Sequence, residues 1–159
     1  MPARSTKLIN ELVNQLAKQV AQALNYVGVL GVEFFISKGK VFVNEIAPRP
    51  HNSGHYTIDA SVTNQFEQQV RVLAGLPLGS SRLHSSAVMV NLLGDVWTNS
   101  KTKEPHWDKS FKEPGVKMHL YGKHEARPGR KMGHFTVLDE KLDEAFQKAM
   151  ELRKLLGIA

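Results

Sequence analysis

Cysteine is absent from the 159 residues, which excludes disulfides, thiolate nucleophiles and cysteine-ligated metals. No apolar run is long enough to cross a bilayer, and the opening Met1-Pro2-Ala3-Arg4-Ser5 lacks the apolar stretch of a secretory signal. A cytoplasmic protein with no membrane partner is the expectation. Internal repeats and low-complexity tracts are missing as well. Disorder is argued against by 42% hydrophobic and 23% charged residues, close to the globular average.

What is present in excess is positive charge. Twenty-one Lys and Arg against fifteen Asp and Glu give a formal net charge of +6, which favours anionic partners: nucleic acid, nucleotides or phosphorylated metabolites. The cations are spread along the chain, with one concentration at Arg127-Pro128-Gly129-Arg130-Lys131. That pattern suits a small anion site better than a nucleic-acid-binding arm, with a plain solvated basic surface as the alternative.

Leu8, Ile9, Leu12, Val13, Leu16, Val20 and Leu24 recur at helical spacing and predict an amphipathic helix over residues 5 to about 25, with Ser5 or Thr6 as N-cap. Two β-branched and aromatic runs, 27–36 and 41–46, read as a hairpin. The prolines of residues 47–55 rule out regular structure there. A helix from near Ser61 to Ala74 ends at Gly75. A boundary at Leu78-Gly79-Ser80-Ser81 divides the chain into domains 1–79 and 80–159. In the second, 87–93 reads as a buried strand, 94–114 as loop with some helix, and 116–121 and 134–138 as strands flanking the basic turn. Asp139 is expected to cap a last helix carrying Leu142, Ala145, Phe146, Ala149, Leu152 and Leu156.

The hairpin holds two carboxylates among apolar neighbours, Glu33 and Glu45. Such a carboxylate must be solvated, paired or metal-bound. A two-residue loop at Lys38-Gly39 would pair Glu33 with Asn44 and put Glu45 on the other face. A three-residue loop, Ser37-Lys38-Gly39, would put the glutamates on one face as diagonal neighbours. The three-residue loop is the expectation. Two carboxylates near the Asn44 amide offer hard oxygen ligands suited to Mg2+ carrying nucleotide phosphates. Asn44 alternates to the other side of a regular strand, so its participation requires a local distortion. Arg49 and His51, with Asn52, Ser53 and Gly54, form a candidate anion pocket: arginine grips carboxylate or phosphate with paired hydrogen bonds, and histidine moves protons near neutral pH. A rigid proline turn with solvent-facing polar groups is the alternative. His84, His106, His119, His124 and His134 show no metal-ligand spacing and read as surface or structural residues, and Trp97 and Trp107 read as packing.

In order, Gly31-Val32-Glu33, Asn44-Glu45, Ala47-Pro48-Arg49-Pro50-His51-Asn52-Ser53-Gly54-His55 and Arg127-Pro128-Gly129-Arg130-Lys131 resemble the carboxyaminoimidazole ribonucleotide synthetase family of ATP-grasp enzymes. The glutamate strands are general to ATP-grasp enzymes; the two loops together are specific. The resemblance implies an α+β fold: the C-terminal half of an ATP-grasp domain, antiparallel strands with packed helices, followed by a small mixed α/β lobe. It implies ATP and Mg2+ as cofactors, and bicarbonate and 5-aminoimidazole ribonucleotide as substrates. Glu33 and Glu45 would hold the metal, with Asn44 and Glu45 at the nucleotide. Arg49, His51 and Lys131 would be catalytic, and Asn52, Ser53, Gly54 and Arg130 substrate-binding. It further implies a homodimer, no nucleic acid, and a missing N-terminal half without which this chain is inactive. Two other readings stay open: a basic nucleotide- or nucleic-acid-binding module without turnover, and an ATP-grasp ligase for another phosphorylated metabolite.

Overall fold

The computed structural model describes residues 6–101 and 104–158. Helix α1 spans Lys7–Ala23. Thr6 caps it, its hydroxyl accepting the Ile9 N–H at 3.3 Å; the other predicted cap, Ser5, lies outside the described residues. The described residues divide into two compact units, one holding 59–61 with 83–101 and 104–158, the other 6–58 with 62–82.

In the second of these units, strands β1 (Gly31–Ser37) and β2 (Lys40–Ala47) form an antiparallel hairpin. Its loop has two residues rather than the expected three: Ser37 pairs with Lys40, and Lys38 and Gly39 both take positive φ, 48° and 73°. That is the signature of a type I′ turn, whose twist matches the strands it joins. The register then slips by one residue between Glu33 and Phe34, making Asn44 the extra residue of a bulge and setting Glu33 directly opposite Glu45. The glutamates share a face, as expected, through a bulge in the strand and not through the loop, and as direct rather than diagonal neighbours.

A 3-10 turn, Asn52–Gly54, and the short helix α2, Thr57–Ala60, lead to α3, Gln65–Leu73. Helix α3 starts later than the sequence predicts. Asn64 is its cap, with the side-chain oxygen accepting both Phe66 N–H and Glu67 N–H at 3.0 Å, while Ser61 forms a bridge with Leu83.

The other unit contains β3 (Ser86–Leu93), α4 (Asp95–Thr98), α5 (Trp107–Ser110), β4 (Val116–Leu120), β5 (Lys131–Asp139) and α6 (Leu142–Leu155). The strands form an antiparallel sheet in the order β3-β5-β4. Alternate residues of β3 and β5 meet the apolar stripe of α6 in one core: Val88, Leu92, Phe135, Val137, Ala145, Ala149 and Leu152, with Trp97 and Trp107 against it. Truncating the fully buried Phe135 there would cost about 3–5 kcal/mol. The tryptophans pack edge to face, centroids 5.3 Å apart. Asp139 is not the cap of α6, whose N-cap position is Lys141; it closes β5 and accepts from Lys141 N–H at 3.2 Å and Lys148 Nζ at 2.9 Å. Among the described residues no helix is long and apolar enough to cross a membrane.

Candidate functional site

The bulge at Asn44 puts three oxygen-bearing side chains together. Glu33 and Glu45 face each other across the hairpin, and Asn44 Nδ2 donates to Glu33 Oε2 at 3.3 Å, so the distortion its participation requires is present. Opposed carboxylates repel. The loop after β2 brings a partner to both: His51 Nδ1 lies 3.7 Å from Glu33 Oε1, and His51 Nε2 lies 3.8 Å from Glu45 Oε1. These separations exceed hydrogen-bond range, so the ring sits between the carboxylates as a neighbour rather than a direct donor. The His51 side chain is 11% exposed, against 40% for Glu33 and 53% for Glu45. An open pair of acids therefore faces a largely enclosed imidazole.

The His51 ring is steadied by Ser53, whose Oγ lies 2.9 Å from Nδ1 and whose N–H reaches the same nitrogen at 3.4 Å. Asn52, Ser53 and Gly54 form the 3-10 turn that follows. Arg49 is exposed, and its Nη1 donates to Pro50 O at 3.0 Å; the other donors of its five-donor fork remain to address an anion. Glu33, Asn44, Glu45, Arg49, His51, Asn52, Ser53 and Gly54 thus all lie in one unit. As ligands the three oxygen side chains fit a hard divalent cation such as Mg2+.

Arg130 and Lys131 belong to the other unit. Lys131 is the first residue of β5 rather than part of the turn, and pairs with Leu93. It lines a cavity of about 940 Å³ together with Asp95, Phe146, Met150 and Arg153. Arg130 Nη1 donates to Glu125 O at 2.9 Å, Arg127 pairs with Glu125 at 2.6 Å, and Gly129 N–H donates to Asp95 Oδ2 at 2.8 Å. The basic turn is held in one shape by these bonds.

Two features escaped the sequence. Gln65 is buried behind the His51 loop, where a polar residue at a helix start ordinarily faces solvent. His119 and His134, directly opposed on β4 and β5, stack at 4.6 Å; His119 Nε2 bonds Asp59 Oδ2 at 2.8 Å, and Tyr121 Oη bonds His134 Nδ1 at 2.8 Å. Their strand register was the only signal. Among the described residues Asp59, His119 and His134 are the one group of three His, Asp or Glu side chains close enough to share a metal ion. The near-parallel rings describe a stacked cross-strand pair, with His119 bonded to Asp59 and His134 to Tyr121.

Two family models match in tandem: an ATP-grasp domain over residues 1–66 and a phosphoribosylaminoimidazole carboxylase C-terminal domain over residues 87–148. An N5-carboxyaminoimidazole ribonucleotide synthase from Bacillus subtilis is 46% identical over 149 residues, 93% of this chain and 38% of that protein. The crystal structure of the synthetase from Thermotoga maritima superposes with a TM-score of 0.85 at 45% identity, covering 97% of this chain and 43% of that one. An Aspergillus clavatus synthase, solved with ADP and 5-aminoimidazole ribonucleotide, gives 0.84 at 30% identity, covering 99% and 42%. The chain spans well under half the length of each. It belongs to the N5-carboxyaminoimidazole ribonucleotide synthase family of ATP-grasp proteins, as a part that carries the family's C-terminal domain.

Proposed function

We propose that this chain, joined to the remainder of an ATP-grasp domain, carboxylates the amine of 5-aminoimidazole ribonucleotide with bicarbonate at the expense of ATP. The observation that carries the proposal is the pair Glu33 and Glu45, opposed on one hairpin with His51 within 3.8 Å of both. Bicarbonate takes the γ-phosphoryl group, giving carboxyphosphate and ADP; the amine nitrogen then forms a bond to the carboxyl carbon as phosphate leaves and the amine gives up a proton. Glu33, Glu45 and the Asn44 amide would hold Mg2+, which supplies neutralising charge at the nucleotide phosphates. The Arg49 guanidinium orients bicarbonate through paired N–H donors. His51 receives the proton lost by the amine, its ring kept in place by Ser53. Asn52, Ser53 and Gly54 shape the pocket for the aminoimidazole, and Arg130 and Lys131 are assigned to binding substrate anions. A homodimer in the cytoplasm belongs to the same reading.

Alone, the chain offers a carboxylate pair without the rest of the nucleotide site, and is expected to bind weakly and turn nothing over. The test is a coupled assay on the chain joined to a complete ATP-grasp domain. ADP and phosphate release that requires both bicarbonate and 5-aminoimidazole ribonucleotide supports the proposal. Release driven by a different phosphorylated amine, or none with this one, sinks it.

A further inference from the structure

Gln65 opens α3 yet is only 8% exposed, and its carboxamide is spent on the His51 loop. Oε1 accepts the His51 N–H at 2.9 Å, and Nε2 donates to the His51 carbonyl at 2.9 Å. The side chain thus pairs with both backbone groups of one residue fourteen positions away, as a neighbouring strand would. Nε2 also lies 2.7 Å from His55 Nδ1. Because the two backbone bonds dictate which end of the amide is oxygen, Nε2 must be the donor toward His55, which leaves Nδ1 of His55 unprotonated and its proton on Nε2. The main chain of Gln65 joins in: its N–H donates to Thr57 Oγ1 at 3.1 Å, and that hydroxyl donates to Gly54 O at 2.6 Å. Gly54 has room for no side chain, since a Cβ there would run into Gln65 Oε1. A buried amide this fully used fixes a backbone firmly, and removing it strands the groups it served.

We infer that Gln65 is the positioning residue of the site: by clamping the His51 backbone it sets the imidazole between Glu33 and Glu45, and it fixes the tautomer of His55. The inference rests on the proposed function only for its kinetic consequence. Gln65→Met keeps the length and removes both hydrogen-bonding groups. Gly54→Ala presses on the amide from the loop side. Gln65→Glu keeps an acceptor for the His51 N–H but turns a carboxylate oxygen on the His51 carbonyl and on His55 Nδ1.

The deciding experiment has two arms. In the chain joined to a complete ATP-grasp domain, Gln65→Met and Gly54→Ala should each lower kcat by about tenfold to a hundredfold with the KM for ATP within about twofold, as expected when a reacting group is misplaced and nucleotide binding is left intact. Gln65→Glu should recover toward wild type as the pH is lowered and its carboxyl regains a donor, whereas Gln65→Met should follow the wild-type pH profile at reduced height. In the second arm, ¹⁵N-histidine NMR of the same protein should show His55 as the Nε2–H tautomer in the wild type, with that preference lost in Gln65→Met. Wild-type kcat in Gln65→Met, or an Nδ1–H tautomer at His55, overturns the inference. If the wild type shows no carboxylation at all, the proposed function fails, and the His55 tautomer alone decides what Gln65 does.

Discussion

A histidine held 3.7 and 3.8 Å from two glutamates that face each other is a poor arrangement for stability. Like charges directly opposite on a hairpin destabilise it, and functional groups are commonly kept at such a cost. Replacing one charge with an isosteric amide should therefore separate folding from function. In the chain joined to a complete ATP-grasp domain, Glu33→Gln is expected to leave the metal-free Tm unchanged or higher, to weaken Mn2+ binding read by electron paramagnetic resonance, and, on the proposed function, to lower kcat by at least about a hundredfold. A variant that keeps kcat within a few-fold of wild type would remove Glu33 from the site.

Among the elements, the β1–β2 hairpin shows how one extra residue sets the face on which a side chain appears. Deleting Asn44 should restore a regular ladder in which the glutamate following it still faces Glu33. In the chain joined to a complete ATP-grasp domain, the hairpin should keep its folding, read by its amide exchange, while Mn2+ affinity falls because the proposed third ligand is gone; unchanged affinity would mean the bulge serves only the strand. Most strands and the longer helices were legible from periodicity, as was the polar loop after β2; the shared face of Glu33 and Glu45 was expected from a three-residue loop that the structure does not have. The bulge was not legible: Asn44-Glu45 interrupts the apolar run of residues 41–46, but two adjacent polar residues do not mark which of them leaves the ladder, and Lys38 gave no sign that it would accept positive φ. Asp139 misled for a related reason: an acid before an amphipathic helix resembles a cap, yet the strand runs through it and the cap position falls two residues later, at Lys141. Its partner there is Lys148, whose ammonium hydrogen bond holds the Asp139 carboxyl below the usual range, while Asp139 and Glu113 together raise Lys148. A depressed carboxyl contributes stability above its unfolded pKa and loses it as pH falls through the folded value. Asp139→Asn should accordingly lower Tm at neutral pH, and the gap to wild type should close in acid as the pH falls below the ordinary aspartate range and through the depressed Asp139 value. A gap that persists there would point to lost hydrogen bonding and not to charge.

The molecule as a whole divides its apolar surface unevenly. Nearly every buried hydrophobic residue belongs to the β3–β5 unit; in the unit that carries the glutamates, Ala47 is the one among the described residues. Helix α1 buries none of its residues, and Leu8, Phe35, Phe42, Val70 and Leu73 stand open, Leu73 at 77% exposure. In hydrogen exchange of the isolated chain, amides of β5 and α6 should be protected while those of α1, β1 and β2 exchange rapidly. Joining the rest of an ATP-grasp domain should bring the second group up to the first; equal protection in the isolated chain would show that the exposed face needs no cover. The open face of α1 also makes stability a matter of mass action. Any polypeptide that seats on it and shuns the unfolded chain adds about 2.7 kcal/mol at a hundredfold excess over its dissociation constant, so the melting temperature of this unit would report the concentration of its complement, as a titration rather than a fixed property.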